Sequence, residues 1–137
     1  MQRTSKTKNI LIVDPDLGFV FWLGQLLDSS GSHQVLPAKS VTDAKVLIAR
    51  LSVEVDLLVI GQTLEDSEHL VDNLRRSRNE LPVIYLFGDS EELPTCTGAN
   101  ACFRKPSRFD SVSEAIWLEM VRDIFKREVP KVRPISC

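Results

Sequence analysis

The chain carries its chemistry-bearing residues at the ends of apolar runs. Asp14 and Asp16 directly follow Ile10-Leu11-Ile12-Val13, with Pro15 between them, and Lys105 directly follows Ala101-Cys102-Phe103-Arg104. Two carboxylates at such a point can ligate a hard cation or pair with an ammonium group. An uninterrupted apolar run ended by polar turn residues predicts a strand buried on both faces. In an open α/β sheet the carboxyl ends of such strands border the crevice where ligands bind. The two histidines, His33 and His69, have no evident catalytic partner, and no Gly-rich phosphate cradle follows any strand. A cofactor-binding or enzyme domain is disfavoured on that ground.

The elements that must position these groups alternate. Asn9 to Val13 is the first strand, and Asp16 is placed to cap a helix from about Leu17 to Asp28. His33 to Ala38 predicts a short strand, with Pro37 arguing for a sheet edge. Ser40 opens a second helix to Leu51, and Asp56 to Ile60 is a second fully apolar strand ending at Gly61. A helix over Glu68 to Arg78, a strand over Pro82 to Phe87, a short segment with Pro94 and Gly98, and a strand over Ala101 to Arg104 follow. Asp110 or Ser111 then opens a long helix to about Lys126. Strands alternating with helices imply a parallel sheet with right-handed crossovers. The expected fold is a flavodoxin-like three-layer α/β sandwich: five parallel strands in the order 2-1-3-4-5, helices on both faces, and a shortened fourth helix. Residues 1–8 are expected to be a tail, 9–127 the domain, and 128–137 a second tail or the start of a linker.

The chain has 137 residues, 43% hydrophobic and 26% charged, which suits one domain with an ordinary core. A net charge of -2 gives no global case for binding nucleic acid. No apolar run reaches the roughly 18 residues that a membrane span needs. The first eight residues lack the apolar core of a secretory signal. Cys96, Cys102 and Cys137 are an odd number without metal-ligand spacing. Free thiols in a reducing cytoplasm are the expectation.

These runs resemble a known family, the receiver domain of bacterial two-component response regulators. The resemblance covers roughly Lys8 to Phe125 and rests on Ile10 to Asp14, Val55 to Ile60, Leu81-Pro82-Val83-Ile84, and Gly98-Ala99-Asn100-Ala101 leading into Lys105-Pro106. It implies phosphoryl transfer to an aspartate at the end of the third strand, with Mg²⁺ on two acidic residues after the first. It further implies a lysine and a hydroxyl reading the phosphate, a switch aromatic in the fifth strand, and a cis Lys105–Pro106 bond. The matching positions depart from this pattern. The phosphoacceptor falls on Gly61, the acidic pair on Asp14 and Pro15, the hydroxyl on Phe87 and the switch aromatic on Cys102. Only Asp14 and Lys105 persist, with Asp16 as a stand-in.

The expectation is a degenerate pseudo-receiver in cytoplasmic signal transduction, not an enzyme, with no metal and no cofactor, in which Lys105 pairs with Asp14. Retention of a small ligand or anion by that pair is the competing reading. The alternative function is a phosphorelay receiver that uses a displaced carboxylate. Asp89 is the best placed, whereas Asp56 begins its strand roughly 13 Å from the far end. Partners expected from the resemblance are a histidine kinase, a phosphotransfer or output protein, or a second copy of the chain, with neither nucleic acid nor membrane contacted directly. Phe19 to Leu23 surround their helix with apolar groups, so Val20 or Phe21 is a candidate contact, unless another part of the chain covers it. In the last helix, Phe109, Val112, Ile116, Met120 and Ile124 form a stripe suited to the sheet. Trp117, Val121 and Phe125 form a second, candidate interface stripe.

Overall fold

Three apolar runs make the centre of the sheet: β1 (Lys8–Val13), β3 (Leu57–Gly61) and β4 (Val83–Phe87). Every residue of β3 and β4, and the last four of β1, are buried. The computed structural model describes residues 7–29, 33–61, 64–88, 101–106 and 108–128. The chain divides into two compact units, Met1–Ser107 and Arg108–Cys137.

In the first unit β2 (His33–Ala38) and β5 (Ala101–Arg104) flank the centre, giving an all-parallel sheet in the order β2-β1-β3-β4-β5. That is the expected topology. The carbonyl of Ala38 accepts from the Asp14 N–H at 3.0 Å. Backbone polar groups alternate in direction along a strand, so Pro37, one residue earlier, turns its missing donor to the open edge. The proline sits where an imino nitrogen costs no ladder bond.

Helices α1 (Leu17–Ser29), α2 (Val41–Leu51) and α3 (Ser67–Ser77) cross between the strands. Asp16 caps α1 by accepting the Phe19 N–H at 3.2 Å, and Ser40 caps α2 by accepting the Asp43 N–H at 3.1 Å. One core layer joins Leu11 and Val13 of β1 to Val41 and Ala44 of α2 and Leu70 and Val71 of α3. Strand side chains alternate, so Ile10 and Ile12 face the other layer. The buried side of α1, comprising Phe19, Val20, Leu23 and Leu27, is no part of that first layer. The expected shortened fourth helix falls on residues 89–100, which lie outside the described residues, as do 1–6 and 129–137.

The second unit contains α4 (Ser111–Glu128), capped by Asp110, which accepts the Ser113 N–H at 3.0 Å. Apart from Ile124, which is buried as expected, its stripes are reversed from the expectation. Trp117, Val121, Ile124 and Phe125 are buried, while Phe109, Val112 and Ile116 are exposed. Both stripes obey helical spacing, so periodicity alone could not choose between them.

Candidate functional site at the carboxyl end of the sheet

Strands β1, β3 and β4 end side by side, with Val13 opposite Ile60 and Gly61 opposite Leu86. This brings Asp14, Gly61, Phe87 and, from the end of β5, Lys105 to one edge. The Lys105 N–H donates to the carbonyl of Phe87 at 2.9 Å and so fixes where its side chain starts. Lys105 Nζ then donates to Asp14 Oδ1 at 3.2 Å and Oδ2 at 3.4 Å, and stands 5.9 Å from the Phe19 ring centroid. The Asp14 side chain is 2% exposed and that of Lys105 25%. The Asp16 N–H adds a third bond to Asp14 Oδ1 at 2.8 Å. A buried carboxylate is tolerable only with such partners.

Gly61 is explained by the same carboxylate. A Cβ placed there would lie 2.9 Å from Asp14 Oδ2 and 3.7 Å from the Leu64 side chain. Asp14 thus fills the space into which a side chain at 61 would grow. Phe87 is closed off from another direction: the Arg104 guanidinium lies 4.6 Å from its ring centroid and donates to the Gly88 carbonyl at 3.0 Å. Such stacking is worth about 0.5–1 kcal/mol at a partly exposed site. Arg104 and Phe19 escaped the sequence reading. No sequence signal marks the first, because its place opposite Phe87 follows from the register of β4 and β5. Phe19 is one of five consecutive apolar residues, with nothing in the sequence to single it out.

The residues present do not fit a Mg²⁺ site. That ion wants octahedral oxygen ligands. Pro15 and Gly61 offer no side-chain oxygen, Asp16 is engaged at the α1 cap, and Asp14 already holds an ammonium group. Among the described residues no group of three or more His, Cys, Asp or Glu is placed to hold a metal ion.

Two expectations are corrected. Lys105–Pro106 is trans, since no cis peptide bond occurs among the described residues; trans is the ordinary preference by about 0.5–1 kcal/mol. Cys102 is disulfide-bonded and not a free thiol. The other two cysteines lie outside the described residues. An odd count with irregular spacing carries no geometry, so it could not exclude a bridge. Of the displaced acids, Asp56 is committed at the opposite end of the sheet, where it accepts from the Asn9 N–H at 2.8 Å and pairs with Arg78 at 3.1 Å. Asp89 lies outside the described residues. Of the candidate contacts on α1, Val20 is buried and Phe21 exposed, and on α4 Trp117, Val121 and Phe125 are buried, which removes them from an exposed interface stripe.

No family model and no curated protein matches the chain. Solved structures do. A two-component response regulator from Clostridium difficile superimposes with a TM-score of 0.70 at 21% identity, over 89% of this chain and 98% of the other. A response regulator from Chloroflexus aurantiacus gives 0.65 at 23%, over 85% and 98%. The N-terminal domain of a response regulator/sensory box/GGDEF three-domain protein from Carboxydothermus hydrogenoformans gives 0.66 at 22%, over 89% and 99%. The chain has the receiver fold. At this identity the likeness speaks for architecture alone. No helix among the described residues is long and apolar enough to cross a membrane.

Proposed function

We propose that the chain is a pseudo-receiver of two-component signalling, acting through protein contacts and without accepting a phosphoryl group. The observation that supports this most is the position of Asp14 Oδ2, 2.9 Å from where a Cβ at Gly61 would stand, with Lys105 on the same carboxylate. The internal ion pair takes up the space and charge that a phosphoacceptor, its metal and its phosphate would need. Phe87 under Arg104 supplies neither a hydroxyl nor room for one. Phosphoryl transfer is largely positioning and charge neutralisation, and this edge lacks the oxygen ligands for either. The work that remains to such a domain is binding: a histidine kinase, a phosphotransfer or output protein, or itself.

The test is incubation with acetyl phosphate and Mg²⁺ followed by intact-mass measurement. No phosphoryl adduct is expected. An adduct mapping to any carboxylate, Asp89 included, overturns the proposal.

A further inference from the structure

The open edge of the sheet presents a face that the pocket chemistry does not involve. A groove of ≈ 360 Å³ is walled by α1, the end of β2 and α2, and a second of ≈ 300 Å³ by α1 and β2. Val20, Phe21 and Pro37 line both. Phe21 is 63% exposed and Val46, on α2, 51%. Large apolar groups set this close together mark a contact surface more often than scattered ones do. Pro37 removes one ladder donor from the edge, which disfavours extension of the sheet by a partner strand.

Charge identifies the partner. Asp43, Val46, Leu47 and Arg50 all line the first groove, at i, i+3, i+4 and i+7 of α2. One face of the helix therefore reads acid, apolar, apolar, base from start to end. Turned end for end, that pattern complements itself. Neither Asp43 nor Arg50 spends its charge on an ion pair within the described chain. On α1 the same reversal would set Phe21 of one copy against the second groove of the other, which Gly24, Gln25 and Val35 line.

We infer that this face binds a second copy of the chain about a two-fold axis, with α1 and α2 of the two copies antiparallel. Phe21 of each copy seats in the groove between α1 and β2 of the other, and Asp43 of each pairs with Arg50 of the other. An isologous contact of this kind needs each patch to complement itself. The aromatic anchor supplies the affinity and the rim charges fix the register.

Sedimentation equilibrium of the full chain from micromolar to several hundred micromolar tests this. The wild type is expected at twice the chain mass, and Phe21→Glu is expected to weaken association about 30-fold or more. Asp43→Arg and Arg50→Asp are each expected to sediment as monomers. Their equimolar mixture is expected to return to the dimer, because every cross-pair is then opposite in charge. Thermal melts confirm that each variant is folded, and Val46→Glu replaces Phe21→Glu if the latter is not. A wild type that stays monomeric throughout overturns the inference. So does a folded Phe21→Glu or Val46→Glu that keeps its dimer, or a mixture that stays monomeric.

Discussion

The two ends of the sheet each hold a carboxylate–cation pair, and the pairs differ in what surrounds them. At the amino end, Asp56 and Arg78 meet at 3.1 Å with side chains 16% and 25% exposed. Asp56 also accepts the Asn9 N–H, and Arg78 donates to the Val55 carbonyl, so this pair clips β1, the approach to β3 and the end of α3 together. At the carboxyl end, Asp14 is almost fully buried against Gly61, and Lys105 reaches it from 91 residues away. The amino-end pair can fall back on water and backbone partners. The carboxyl-end carboxylate has one backbone donor, the Asp16 N–H, and almost no access to water. Similar charge chemistry is thus a fastening at one end and a plug at the other.

Removing the cation at each end should separate them most clearly. Lys105→Met strands a buried carboxylate and is expected to cost about 2–3 kcal/mol, less than a fully buried pair because Lys105 is partly exposed. Arg78→Met is expected to cost about 1 kcal/mol. Chemical denaturation of both variants checks this, and equal losses would dissolve the contrast. Gly61→Ala comes next. Its Cβ must push Asp14 off its partners, so a loss of about 1–3 kcal/mol is expected. Gly61→Asp is expected to be no more stable and to take up no phosphoryl group from acetyl phosphate, as read by intact mass. The smallest effect concerns pH. Burial, then the nearby Glu68 carboxylate, raises the pKa of Tyr85 above its ordinary value of 10.0. A raised pKa in the folded state leaves stability unaffected below about pH 10 and lowers it as pH climbs beyond that. Tyr85 is the only tyrosine, so ultraviolet titration of the folded chain should show a midpoint above that of the unfolded chain.

The pocket was legible in outline because strand ends announce themselves. Asp14, Gly61, Phe87 and Lys105 each sit where an apolar run stops, and parallel topology brings such stops together. The caps Asp16 and Ser40 were legible for a similar reason, since a short polar side chain before a helical pattern has a local job. The α4 stripes were not. Trp117 and Ile116 are neighbours in sequence and both apolar, yet one is buried and the other exposed. That choice depends on what else the helix meets, which its own period does not contain.

By itself the sequence determined the order of elements, the burial of β1, β3 and β4, and the absence of a side chain at 61 and of a second carboxylate at 15. These follow from local patterns and side-chain chemistry. Only the tertiary structure decided that Asp14 leans into the space above Gly61, that Arg104 covers Phe87, and that Asp43, Phe21 and Arg50 share one edge. Those facts depend on distances between residues far apart in the chain, which the packing of the whole core sets.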